Sequence, residues 1–255
     1  MSETQSLSDA PDFLKMLAHE LRWHLLAALA RGDHRVQELV TLLGRPQNLV
    51  SYHLRQLRDA RLVHERRSSH DARDVYYSLD LQRLQTLYGA SGEALHPALC
   101  PRERAMRHNG GGGPSPSRVL FLCTQNSARS QMAEGLLRSM GGERVQAFSG
   151  GSEPGAVHPL AVEAMQAMNI DISGQRAKHL EQFVGQPFDY IITVCDRVRE
   201  VCPVFPGDPE RIHWSFEDPA AMEGPWEARY QAFVTTAREL SRRIGYLLLL
   251  IRRES

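Results

Sequence analysis

The chain has 255 residues, of which 42% are hydrophobic and 24% charged, which is enough for two domains each with its own core. Its 30 basic and 30 acidic side chains cancel, which excludes bulk attraction to a polyanion and leaves any such partner to a local patch. The opening MSETQSLSDAPDF lacks a basic region followed by an apolar core, and the longest apolar run, residues 246–251, is too short to span a bilayer. Four scattered cysteines do not make a secreted disulfide scaffold. The expectation is a reduced, cytoplasmic protein without a membrane segment.

Residues 13–30 carry Leu14, Leu17, Leu21, Leu25 and Leu29 at helical spacing and predict one helix. A second is expected over about 36–43, ended by Gly44-Arg45-Pro46, and a third over about 48–60. LVHERRSSHDARDVYYSL then reads as two short strands around a basic turn, and a further helix starts near Leu81. This half, residues 1–108, is a mainly α domain. NGGGGPSPS at 109–117 is a flexible tether, since four glycines and Pro-Ser-Pro sustain neither helix nor central strand.

Beyond it, in residues 118–255, strands are expected at 118–123, 145–148 and 190–194. Helices are expected at 130–140, 158–168 and 226–249. Strands alternating with helices imply an α/β fold with a mainly parallel sheet flanked by helices.

The sharpest motif is Cys123-Thr-Gln-Asn-Ser-Ala-Arg129-Ser130, set between a buried strand and a helix. Backbone N–H groups of Thr124, Gln125, Asn126, Ser127 and Ala128, with the helix N-terminus at Arg129 and Ser130, are suited to cradling a tetrahedral oxyanion. Arg129 adds a planar clamp. The same field is expected to lower the Cys123 pKa and free a nucleophilic thiolate.

VLFLCTQNSARSQMAEGLLR resembles the opening of the low-molecular-weight tyrosine phosphatase superfamily, which includes thioredoxin-coupled arsenate reductases. The resemblance runs from about Arg118 to the C-terminus and implies a four-stranded sheet. A phosphatase needs one cysteine and a water, whereas a reductase must pass oxidation on to further thiols. Cys195-Asp-Arg-Val-Arg-Glu-Val-Cys202-Pro203 follows an apolar strand and resembles the reductases' redox segment. In His213-Trp-Ser-Phe-Glu-Asp218-Pro219-Ala220, Asp218 matches the family's acid. The implied catalytic set is Cys123, Arg129, Cys195, Cys202 and Asp218, with no bound cofactor and thioredoxin as electron donor. Many members bind potassium through an asparagine, a glutamate, a serine and an aspartate. Asn126, Glu134 and Ser149 match the first three, but Lys178 stands at the aspartate's place, and its ammonium is expected to substitute for the ion.

In the first half, helix, Gly-Arg-Pro turn, helix and basic hairpin suggest a winged helix-turn-helix. Leu49, Val50, Leu54 and Leu57 are assigned to its core. Gln47, Asn48, Ser51, Tyr52, His53 and Arg55 are assigned to a DNA major groove or its phosphates. Arg66, Arg67 and Arg73 would set the wing on the backbone, and residues 45–74 hold seven arginines against four acids. SYHLRQLRDARLV with VYYSL resembles the ArsR-type repressors, which implies a homodimer on a double-stranded operator. The cysteine pair such repressors often carry is missing from Arg35-Val-Gln-Glu-Leu39. Cys100, with His96 and His108 nearby, offers no convincing metal spacing.

The leading expectation is therefore arsenate reduction by a three-thiol relay, fused to a regulator of arsenic resistance. Two other readings stand beside it: a tyrosine phosphatase fused to a regulator, and a repressor whose second half only senses an oxyanion.

Overall fold

The computed structural model describes residues 11–71, 73–96 and 116–254. They build two compact units, one of residues 11–66 and 74–96 and the other of residues 67–71, 73 and 116–254. Cys100, His108 and most of the expected tether lie outside the described residues. Among the described residues, no helix is long and apolar enough to cross a membrane.

The first unit contains α1 (Asp12–Leu17), α2 (Glu20–Leu29), β1 (His34–Arg35), α3 (Val36–Leu43) and α4 (Gln47–Asp59). β2 (Val63–Arg67), β3 (Val75–Leu79) and α5 (Leu81–Leu95) follow. The single helix expected over 13–30 is broken. His19 adopts an extended backbone, and its side chain accepts from the Leu21 N–H, so it ends one helix and caps the next. Gly44 closes α3 with φ +59°, a left-handed conformation that glycine takes without strain. The strands form a small sheet in the order β1-β3-β2, with His34 opposite Tyr77. Leu25, Leu29, Leu39, Val50, Leu54 and Leu57 fill the core beneath it.

The second unit is the expected four-stranded parallel sheet flanked by helices. Its strands are β4 (Ser117–Cys123), β5 (Val145–Gly151), β6 (Tyr190–Thr193) and β7 (Glu210–His213), in the order β5-β4-β6-β7. The helices are α6 (Arg129–Gly141), α7 (Pro159–Gln166), α8 (Asp196–Glu200) and the long α9 (Trp226–Glu254). β4 begins at Ser117, inside the expected tether. β4 is apolar and buried from Val119 onward because it is central, pairing in parallel with β5 on one side and β6 on the other. Chain order reverses at β4, so its C-terminal end is the switch point at which open α/β sheets place their sites. Cys123 stands there, opposite Gly151.

Candidate active site

Cys123 ends β4, and the chain then turns through residues 124–128 into α6. The turn requires Asn126 in the left-handed region, at φ +48°. It also runs against β5. A Cβ on Gly151 would lie 2.5 Å from the Thr124 carbonyl oxygen and 2.8 Å from the Asn126 nitrogen, so only glycine fits there. Thr124 and Gln125 carbonyls accept from the N–H groups of Glu153 and Gly155, which ties the loop's outer side down.

Inside the loop, the Asn126 N–H donates to Cys123 Sγ at 3.2 Å, and the Ser130 hydroxyl lies 2.8 Å from the same sulfur. Asn126 is fully buried and its amide is spanned on both sides. Its Nδ2 donates to Ser130 Oγ and Ser149 Oγ, while its Oδ1 accepts from Gln131 Nε2 and the Lys178 N–H. A buried amide satisfied in this way fixes the loop before any ligand arrives. Gln131, Gly151 and the Phe216 carbonyl are site elements that the sequence reading missed. The Gly150-Gly151 pair at a strand end was the available signal for one of them.

Arg129 is buried. It donates through one terminal nitrogen to Asp218 Oδ2 at 2.8 Å and through the other to the Phe216 carbonyl at 3.1 Å. Cys195 follows β6, is buried, and lies 3.4 Å from the Thr124 hydroxyl. Cys123, Arg129, Cys195 and Asp218 thus face one cleft. Cys202 lies beyond α8, half-buried, with exposed Val201 and Val204 beside it. All three cysteines are thiols.

The expectation of a depressed Cys123 pKa is corrected. Burial pushes this thiol up and the neighbouring Cys195 sulfur adds to the effect, against the downward pull of Arg129 and Ser130. Burial wins because the loop encloses the sulfur while Asp218 and Phe216 engage the Arg129 guanidinium. Burial also pushes the Cys202 thiol up, partly offset by Arg211.

At the position where many members of the family are expected to bind potassium, the structure has a protein cation. Lys178 Nζ donates to Glu134 Oε2 at 3.1 Å and to the Arg176 carbonyl. Ser149 and Arg138 donate to the same carboxylate. A carboxylate already neutralised by an ammonium and a guanidinium has no charge left for a potassium ion, so the residues present do not fit one.

In the first unit, Gln47, Asn48, Tyr52 and Arg55 of α4 are exposed and Ser51 is half-buried. His53 is not available to DNA. It is 4% exposed, with its ring tilted against that of His19 at 4.3 Å between centroids. Leu49, assigned to the core, is instead 39% exposed. Arg67 and Arg73 are exposed and Arg66 is half-buried, and Arg73 pairs with Asp71.

Residues 118–254 match the family described as low molecular weight phosphotyrosine protein phosphatase, and residues 19–65 match the bacterial regulatory proteins of the arsR family. An arsenate reductase of Halalkalibacterium halodurans is 41% identical over 126 residues, spanning 49% of this chain and 91% of that protein. An arsenate reductase of Bacillus subtilis is 36% identical with the same coverage. A solved thioredoxin-dependent arsenate reductase of Corynebacterium glutamicum shares 29% identity over 68% of this chain and 72% of its own, with a TM-score of 0.46.

Proposed function

Because the chain belongs over residues 118–254 to the low molecular weight phosphotyrosine protein phosphatase family and is similar there to arsenate reductases, we propose that it reduces arsenate to arsenite through Cys123, Cys195 and Cys202, with thioredoxin as electron donor. The observation that carries this is the second thiol. Cys195 stands in the cleft of the nucleophile, beside Thr124 and close enough to raise the Cys123 pKa. A hydrolase has no use for a sulfur in that place.

The chemistry then runs in three exchanges. Arsenate enters the loop, takes the two guanidinium donors of Arg129 and displaces Asp218, leaving its carboxyl beside the bound oxyanion. Cys123 gives its thiol proton to an arsenate oxygen as its sulfur bonds to arsenic, and Asp218 supplies the second proton for that oxygen to leave as water. Cys195 then attacks Cys123. A sulfur–sulfur bond forms, the sulfur–arsenic bond breaks, and the electron pair stays on arsenic, which leaves as arsenite. Cys202 attacks Cys195 and Cys123 departs as thiolate, leaving a Cys195–Cys202 disulfide that a dithiol donor reduces by exchange. Exposed Val201 and Val204 leave the outer end of this segment open to such a donor.

The first unit, together with the hairpin turn of residues 67–73, is proposed to bind a double-stranded operator through α4, with Gln47, Asn48, Ser51, Tyr52 and Arg55 toward the major groove and Arg66, Arg67 and Arg73 on phosphates. A homodimer through this unit would present two such helices to successive half-sites.

The test is arsenate-dependent NADPH consumption with thioredoxin and its reductase, run beside phosphate release from an aryl phosphate. Turnover abolished in each of Cys123→Ser, Cys195→Ser and Cys202→Ser is the expected result. Aryl phosphate hydrolysis that needs Cys123 alone, without arsenate-dependent consumption, makes the enzyme a phosphatase.

A further inference from the structure

Asp196 and His213 form a buried ion-pair geometry outside the reacting groups. Asp196 is 2% exposed and His213 is 5% exposed. Charged groups this deep are costly unless paired and hydrogen-bonded. Asp196 Oδ1 accepts from His213 Nε2 at 3.1 Å and from Ser215 Oγ at 2.7 Å. The other ring nitrogen of His213 lies 2.8 Å from Thr193 Oγ1.

The placement of these partners gives the cluster its meaning. Thr193 ends β6 two residues before Cys195, and Asp196 follows Cys195 directly. One imidazole therefore grips the chain on both sides of the second thiol. Ser215 extends the grip to the segment that carries the Phe216 carbonyl and Asp218, both of which hold Arg129. The helix that Asp196 starts, α8, has only five residues, too few to persist without tertiary support. The relay requires that stretch to rearrange if Cys202 is to reach Cys195.

We propose that Asp196 and His213 are positioning residues, a clasp that holds Cys195 against Cys123 while residues 197–202 change conformation around it. The inference rests on the relay reading. The clasp touches no reacting atom. It sets the distance and angle at which Cys195 sulfur meets Cys123 sulfur, where an ångström of misplacement costs about 100-fold in rate.

The experiment uses the full chain in a Cys202→Ser background, where one equivalent of arsenate leaves a Cys123–Cys195 disulfide. Its formation is followed by rapid quench and peptide mass, beside alkylation of Cys123 by iodoacetamide. Asp196→Ala and His213→Ala are expected to slow disulfide formation by roughly 10- to 100-fold with Cys123 alkylation within about threefold. Asp196→Asn keeps an acceptor for His213 and Ser215, and His213→Gln keeps a donor for Asp196, so both should recover most of the rate. Equal losses in disulfide formation and Cys123 alkylation, or no rescue by the conservative pair, reduce the cluster to ordinary core structure. Unchanged disulfide formation in all four overturns the clasp alone. Failure of Cys202→Ser itself to form the disulfide overturns both the clasp and the relay.

Discussion

Lys178 holds its ammonium 3.1 Å from Glu134 Oε2, the oxygen to which the Ser149 hydroxyl also donates. Ser149 in turn accepts from Asn126, whose amide shapes the Cys123 loop. A protein cation therefore supports the loop where relatives are expected to use a mobile one. Exchanging potassium for sodium at constant ionic strength should change the arsenate-dependent rate by less than about twofold, because an ammonium already on the carboxylate leaves nothing for the ion to supply. Lys178→Ala removes a charged hydrogen bond and should lower stability by about 1–3 kcal/mol. Lys178→Asp should make the rate depend on potassium. Strong potassium stimulation of the unaltered protein would show that Lys178 does not take the ion's place.

Gly151 is constrained more severely. The Thr124 oxygen and the Asn126 nitrogen, which a Cβ at this position would meet at 2.5 and 2.8 Å, are backbone atoms that cannot rotate aside. Gly151→Ala must push the loop off β5 and carry the Cys123 environment with it. The expected outcome is a fall of about 100-fold in kcat/KM with a stability loss of about 1–3 kcal/mol, read from steady-state kinetics and a thermal melt. Wild-type kinetics in this variant would mean that the loop tolerates the displacement.

Ser130 lies 2.8 Å from the Cys123 sulfur and is among the groups pulling its pKa down. Removing the hydroxyl leaves burial and the Cys195 sulfur less opposed, so the thiol rises further and the thiolate fraction at any given pH falls. Ser130→Ala should therefore shift the pH profile of Cys123 alkylation by iodoacetamide toward higher pH, and should slow the reaction at neutral pH. A profile that stays in place assigns Ser130 a structural role through Asn126 only.

What could be read from the sequence was chemistry that is local in the chain. The Cys123–Arg129 loop lies within seven residues between a strand and a helix, so residue type and spacing sufficed. β7 escaped because it is four residues long and two of them, Glu210 and Arg211, are charged. Asp196 and His213 meet across 17 positions through the register of β6 and β7, which no local pattern encodes. His53 failed for a different reason. Val50, His53, Leu54 and Leu57 follow the spacing of an apolar helix stripe, while Leu49 lies off it, and burial follows the stripe rather than residue type. The polar character of histidine pointed outward where the periodicity pointed inward.

That buried histidine gives the first unit a pH dependence. Burial holds the His53 pKa below its ordinary value, reinforced by His19 on the start of α2 and by Arg22, against a Gln56 hydrogen bond from its own helix. Its Nδ1 has no hydrogen-bond partner among the described residues, so a proton there would be both buried and unanswered. The unfolded chain takes up that proton near the ordinary histidine value of about 6.5, and the folded unit resists it. Stability is therefore fully present above that value and is lost as pH falls through it. Urea unfolding followed by helical circular dichroism should show a lower midpoint at about pH 5.5 than at about pH 7.5. His53→Gln should narrow the difference, since a neutral side chain takes up no proton on unfolding. An equal pH difference in the two proteins would assign the acid sensitivity to other groups.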